Sequence, residues 1–322
     1  MILQIFILIV GLIILVAGAD WLVKGASSLA AKLKIPPLVI GLTIVSFGTS
    51  APELTVNIAA AMNGSADIAI GNIVGSNIAN ILLILGICAI IAPLKVKSST
   101  VWKEIPLAAL GMFLLFVMGN DARFDGVSFN ALTRTDGIAL MALMAIFMYY
   151  IVGMARRDKV TTELSSEDIK VYNTWLSSGL IVSGLIALVA GGQLLVGAAV
   201  ALAKSAGLSE ALIGLTIVGI GTSLPELATS VVATIRKQDD IAVGNIVGSN
   251  IFNVFWILGL SATILQLPFN AAASVDVLVG LGATLLLMAV MFVGKKHKLT
   301  RAEGVLFLLL YAGYLIYLVQ RG

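Results

Sequence analysis

Charge is scarce in this chain: only 11% of its 322 residues are Asp, Glu, Lys or Arg. Cysteine occurs once, at Cys88, which excludes an intramolecular disulfide and a thiolate metal cluster. Histidine also occurs once, at His297 in a basic loop. That excludes most histidine-based catalysis and histidine-ligated zinc within one chain. The net charge of +3 is spread over short loops and forms no block that would read as a nucleic-acid surface. Paired aspartates, a nucleophile–histidine pair and a metal-binding histidine motif are all missing, so an enzyme is not expected.

What the chain has in abundance is apolar surface. Hydrophobic residues make up 59% of it, and the mean hydropathy is +1.07. A soluble globule cannot hide so much, because its buried fraction is limited by its surface-to-volume ratio. Residues 2–19 and 176–202 contain no charged side chain. Runs of roughly 18 or more such residues cover the hydrocarbon core as a helix, and backbone pairing inside lipid permits only helices or closed barrels. The runs do not alternate as barrel strands would. Residues 2–23 lack a basic n-region and a cleavage site and read as a first span, not a signal peptide.

Apolar runs between polar breaks give an all-α membrane protein of ten transmembrane helices. The predicted spans are 2–28, 36–62, 67–92, 101–119, 131–154, 175–204, 210–235, 240–266, 274–293 and 301–319. Loops after odd-numbered spans hold 16 of the 20 Lys and Arg residues, and the other loops and the C-terminus hold 4. By the positive-inside rule the odd loops are cytoplasmic and both termini face outward.

Residues 41–86 and 214–259 align without a gap at an offset of 173 (214 − 41), with 27 identities in 46 positions. Five spans separate equivalent positions. An odd number turns the second copy over, so the halves are inverted repeats: 1–154 and 175–322, joined by a short cytoplasmic linker at 155–174. Inverted repeats with interrupted helices at matching places mark secondary transporters, whose sites lie near the bilayer midplane.

The identities concentrate on polar residues. Glu53 and Glu226 fall near the middle of spans two and seven, each in a G-T-S-x-P-E sequence at 48–53 and 221–226. A carboxylate at the bilayer centre costs at least ~2.5 kcal/mol, so a matched pair points to a cation pathway. Proline removes an N–H and clashes with the preceding turn, which breaks the helix and frees carbonyls. Thr49, Glu53 and Asn57 share a helical face by their four-residue spacing, as do Thr222, Glu226 and Ser230. The second element, G-N-I-V-G-S-N-I-x-N, occupies 71–80 and 244–253. It aligns Asn72, Ser76 and Asn80 on one face, and Asn245, Ser249 and Asn253 on the other copy. Asn72, Asn77, Asn245 and Asn250 read as interhelical glue. Asp67 and Asp240 read as helix N-caps, and Asp20 with Lys24 as a boundary ion pair. Every candidate ligand is an oxygen, which favours hard cations such as Na⁺, Ca²⁺ or Mg²⁺. Mg²⁺ is the poorer fit because it dehydrates reluctantly and demands octahedral geometry.

The paired G-T-S-x-P-E and G-N-I-V-G-S-N blocks resemble the alpha repeats of the calcium:cation antiporter superfamily, and most of all those of the prokaryotic sodium/calcium exchangers. The resemblance implies alternating access, with spans one and six sliding past a core of the other eight. It implies a Ca²⁺ site made by Glu53, Glu226, Thr49 and Thr222. It implies Na⁺ sites that share those residues and add Ser50, Ser76, Ser223, Ser249, Asn80 and carbonyls near Ser46 and Gly219. It also implies exchange of three Na⁺ for one Ca²⁺, a multi-pass location in the cell membrane, and no resident cofactor, nucleic acid or protein partner. Some exchangers carry Asp where this chain has Asn253, a possible further ligand; with Asn there, a potassium requirement is not expected. A Ca²⁺/H⁺ antiporter is the first alternative and a channel the second.

Overall fold

Uninterrupted apolar runs fold as long helices because nothing in them breaks the backbone ladder. The computed structural model describes residues 2–62, 66–157, 170–205, 219–293 and 296–321. Its main helices are α1 (Ile2–Leu33), α2 (Pro37–Thr49), α3 (Ala51–Met62), α4 (66–91), α5 (Thr100–Met118) and α6 (Arg134–Arg157). They continue with α7 (Thr174–Ser205), α8 (Leu224–Ile235), α9 (Asp239–Ile264), α10 (Ala271–Val290) and α11 (Arg301–Arg321). Eight of these are each long and apolar enough to cross a membrane, and α2 with α3 makes a ninth, bent by 45°. The predicted span 210–235 is described only from Gly219 onward, as a turn at Gly219–Gly221 and the 12-residue α8. Residues 210–218 and most of the predicted linker, 158–169, lie outside the described residues.

Several predicted ends need correction. Helix α1 runs five residues past the predicted 28. It stops where Lys34 takes a left-handed φ of 55° and the Ile35 N–H reaches back to the Ala30 carbonyl at 3.1 Å. The fifth span was predicted from 131, but Ala131–Leu132 is a short strand paired antiparallel with Leu267–Pro268, and the helix starts at Arg134. The same pairing ends α9 at Ile264, before the predicted 266. Leu94–Lys95 pairs likewise with Lys298–Leu299. Neither Asp67 nor Asp240 is an N-cap. The helices begin one residue earlier, at Ala66 and Asp239, so both aspartates sit in the first turn. There they still oppose the helix dipole, and each ties its helix to a neighbour. Asp67 accepts from Asn270 at 2.7 Å, and Asp240 pairs with Lys97 at 2.6 Å.

The helices form two apolar clusters. The larger unites α4, α5, α6, α9, α10 and α11 with parts of α2 and α3. The smaller joins α1 and α7 to parts of α2, α8 and α9. Within the larger, α4 and α9 are innermost: 94% of the apolar stretch of α9 is buried, against 22% for α1 and α7. This places both G-N-I-V-G-S-N segments at the centre of the molecule. Helices α1 and α7 run antiparallel in backbone contact. A Cβ on Gly18 would lie 2.8 Å from the Leu188 nitrogen, and one on Gly184 2.7 Å from the Leu22 nitrogen. Ser28 and Ser177 close one end with a 2.8 Å hydroxyl contact. The Asp20–Lys24 pair exists at 2.6 Å, and Asp20 also accepts from Arg236 at the end of α8.

Candidate functional site

Proline at the second position of α3 and α8 supplies the break that the sequence predicts. At Ser50 the chain bends by 45° between α2 and α3, because Pro52 cannot donate to the preceding turn. The bend delivers the start of α3 to the middle of the molecule. Glu53 and Glu226, each 1% exposed, both lie there, with Thr49, Ser50 and Ser223 equally buried. Thr222 is half-buried.

The two carboxylates are held by hydroxyls from both halves. Glu53 Oε1 accepts from Ser76 at 3.4 Å and from Ser223 at 3.5 Å. Glu226 Oε1 accepts from Ser249 at 3.4 Å and from Ser50 at 3.0 Å. Each bond has its twin 173 positions along the chain. The same reciprocity runs through the rest of the network. Thr49 Oγ1 donates to Asn245 Oδ1 at 3.0 Å, and Thr222 Oγ1 to Asn72 Oδ1 at 3.1 Å. Asn80 Nδ2 donates to Asn250 Oδ1, and Asn253 Nδ2 to Asn77 Oδ1, both at 2.9 Å. Asn77 and Asn250 each donate to the other's backbone carbonyl at 3.3 Å. Residue i meets j and the equivalent of i meets the equivalent of j, so the bonds around the site are reciprocal between the two sequence copies.

Both Asn80 and Asn253 sit in π-helical stretches, Ala79–Ile84 and Phe252–Leu258, that begin at equivalent positions. Such widened turns recur at functional sites. Nothing in the residue pattern announces them, and they were not predicted.

Among the described residues, the donors leave four matched acceptors over. Glu53 Oε2, Glu226 Oε2, Asn80 Oδ1 and Asn253 Oδ1 are buried without a hydrogen-bond partner among the described residues. A buried polar atom left unpaired costs about 1–3 kcal/mol, more for a charged group. Two carboxylate and two amide oxygens, each pair matched between the two copies, form a set that a hard cation would complete. Of the other predicted ligands, the Ser46 carbonyl is not free. It accepts from the Ser50 N–H at 3.0 Å and from Thr49 Oγ1 at 3.3 Å. Gly219 opens a described segment, and the residues before it lie outside.

The reciprocity fails one turn beyond the glutamates, at Asn57 and Ser230, which the sequence places on the same faces. Ser230 accepts from Asn245 Nδ2 at 3.0 Å. Its counterpart Asn57 is fully buried with neither amide atom bonded, and the Asn72 amide nitrogen is also unpartnered. Asn245 is buried, whereas Asn72 is partly exposed. The i+4 spacing from Glu53 was the available signal for Asn57, which lengthens the polar track by one turn.

Asn77 and Asn250 satisfy each other, which suits a fastening role. We expect Asn77→Ala and Asn250→Ala to orphan buried donors and acceptors on the facing helix, at about 1–3 kcal/mol per group. Thermal unfolding in detergent should show a clearly lower midpoint for each, with Ca²⁺ affinity of the folded protein little changed. A large affinity loss at unchanged stability would make them ligands instead.

The chain matches the sodium/calcium exchanger protein family over residues 3–153 and 176–320. It is similar to CaxA of Alkalimonas amylolytica, 42% identical over 316 residues that cover 96% of each chain. It is similar to the sodium/calcium exchanger MaX1 of Methanosarcina acetivorans, 32% identical over 97% of each. Among solved structures it is similar to the sodium-calcium exchanger NCX_Mj soaked with Na⁺ and Sr²⁺, at a TM-score of 0.83 and 31% identity, covering 98% of both chains. With its reciprocal arrangement of buried acids and its coverage by these relatives from end to end, the chain belongs to the sodium/calcium exchanger protein family.

Proposed function

We propose that this protein is an antiporter that exchanges Na⁺ for Ca²⁺ by alternating access at the central site. The observation that carries the reading is the set of four buried, unpartnered oxygens on Glu53, Glu226, Asn80 and Asn253. Two carboxylates balance one divalent ion. In this reading Glu53, Glu226, Thr49 and Thr222 hold Ca²⁺. Na⁺ takes the same glutamates and threonines with Ser50, Ser76, Ser223, Ser249, Asn80 and Asn253, and with carbonyls near Ser46 and Gly219. The hydroxyls of Ser50 and Ser223 already reach the acid of the opposite half, so they must turn when a cation takes the lone pairs. Thr49 turning away from the Ser46 carbonyl would free one lone pair of that oxygen, the other still accepting from the Ser50 N–H.

The architecture proposed is ten spans in two inverted repeats, 1–154 and 175–322, in the cell membrane with both termini outside. Reciprocal bonds at the 173 offset support the inversion, and the 16-to-4 division of Lys and Arg supports the orientation. The low burial of α1 and α7, 22% of each apolar stretch against 94% for α9, supports sliding of this pair against the remaining helices. The partial exposure of Asn72 beside the burial of Asn245 is the asymmetry that a site accessible from one side at a time requires.

The deciding experiment is radioactive Ca²⁺ uptake into proteoliposomes in which outward gradients of Na⁺, K⁺ and H⁺ are imposed separately. The proposal expects uptake with the Na⁺ gradient, none from K⁺ alone and no added requirement for K⁺. Uptake driven by the H⁺ gradient and indifferent to Na⁺ would assign the chain to Ca²⁺/H⁺ exchange instead.

A further inference from the structure

Away from the central site, two cavities meet at Arg236. One is a groove of about 700 Å³ between α1 and α8, walled by Leu12, Ile13, Val16, Ala17, Val232 and Ile235. Leu12, Ile13, Val16 and Ile235 are all exposed there, so the groove is an open apolar trough. The other cavity, about 360 Å³, is polar and includes Lys24, Ser27, Lys170, Tyr172, Arg236 and Gln238 in its lining. The groove ends at Asp20 and Arg236, and Arg236 lines both spaces.

The charges there are arranged for an anion. Asp20 accepts from Arg236 Nε at 2.8 Å on one oxygen and pairs with Lys24 at 2.6 Å on the other. One carboxylate thus orients two cations, each still over a third exposed. With Lys170 the described residues that line the two cavities carry three positive charges against one negative. Among the described residues, two acids that follow Arg236 in the chain have partners of their own: Asp239 accepts from the Lys95 N–H and Asp240 pairs with Lys97. Ser27 adds an independent sign of a ligand. The residue lines the polar cavity and is 6% exposed, and its buried hydroxyl oxygen has no hydrogen-bond partner among the described residues.

We propose that an anionic phospholipid binds across α1 and α8, with its phosphate among Lys24, Ser27, Lys170 and Arg236 and an acyl chain in the apolar groove. A free anion would leave the groove unexplained, and a neutral lipid would leave the cations unexplained. The three cations belong to the side on which most Lys and Arg fall, where anionic lipid gathers them. The lipid would bridge the α1–α7 pair to α8 along the seam between them, so its occupancy would alter the exchange rate. That consequence rests on the proposed function, whereas the binding does not.

The test uses the full chain purified in detergent and titrated with phosphatidylglycerol, phosphatidylcholine or inorganic phosphate, reading bound lipid by native mass spectrometry and the thermal midpoint. We expect phosphatidylglycerol to bind and raise the midpoint, with phosphatidylcholine and phosphate having little effect. Lys170→Gln with Arg236→Gln should weaken phosphatidylglycerol binding roughly 30-fold. Lys170→Gln alone, at an exposed position, should weaken it measurably and covers the case in which the double variant does not fold. Equal binding of both lipids, a full response to phosphate alone, or unchanged binding in the variants would overturn the proposal. Loss of Na⁺-driven uptake with lipid binding intact would count against the transport reading and leave the lipid site standing.

Discussion

Glu53→Gln and Glu226→Gln should each abolish exchange while leaving the protein folded. Each substitution keeps the shape of the side chain and one acceptor oxygen, so Ser76 and Ser223, or Ser249 and Ser50, retain a partner. What it removes is a unit of charge. A divalent cation then faces a single carboxylate in a site where both acids are 1% exposed. Breaking a buried charge pair in this way costs about 3–5 kcal/mol, a loss of roughly 100-fold or more in affinity. Na⁺-driven Ca²⁺ uptake by the reconstituted variants checks this. Near-normal flux in either one would remove that glutamate from the site.

The second large effect is expected where α1 meets α7. Gly18→Val and Gly184→Val put side chains into backbone: a Cβ at 18 meets the Leu188 nitrogen at 2.8 Å, and one at 184 meets the Leu22 nitrogen at 2.7 Å. Neither neighbour can swing aside as a flexible side chain would, so the helices must separate. Overpacking of this kind costs about 1–3 kcal/mol even where side chains can yield. We expect both variants to lose several degrees of thermal midpoint and most of their uptake activity. Gly179→Ala, on the same helix with nothing within 4 Å, is the control. It should be neutral or slightly stabilising, since alanine favours a helix over glycine by roughly 1 kcal/mol. Equal tolerance at positions 18, 184 and 179 would mean that the close approach of the two helices is not needed.

Much of the site was legible because polar residues in an apolar chain have few reasons to be there. Glu53 and Glu226 declared themselves by charge, and the adjacent prolines declared the bend at Ser50. The fixed offset of 173 declared that whatever one half does, the other repeats. Which oxygens stay unpaired was not legible. That depends on Asn77 and Asn250 meeting between the two copies and on the widened turns at Ala79–Ile84 and Phe252–Leu258, both products of packing. Asp67 and Asp240 were misread for a related reason. Local spacing suggests a cap, but Asn270 and Lys97, distant in sequence, supply the partners. The end of α1 escaped because Lys34 adopts a left-handed conformation usually left to glycine or asparagine. Glu104, buried and bonded by Tyr150, is a second kind of miss. It lies in a stretch without an internal twin, so the repeat could not flag it.

The central claim is that the unpaired oxygens of Glu53 and Glu226 grip the transported ion. A structure determined with Ca²⁺, and again with Sr²⁺ for its stronger anomalous signal, tests it directly. The account predicts one divalent ion between the two carboxylates, with Glu53 Oε2 and Glu226 Oε2 at about 2.3–2.6 Å from Ca²⁺ and Thr49 and Thr222 completing its shell. Ca²⁺ bound elsewhere, with both glutamates still paired only to serine hydroxyls, would contradict it.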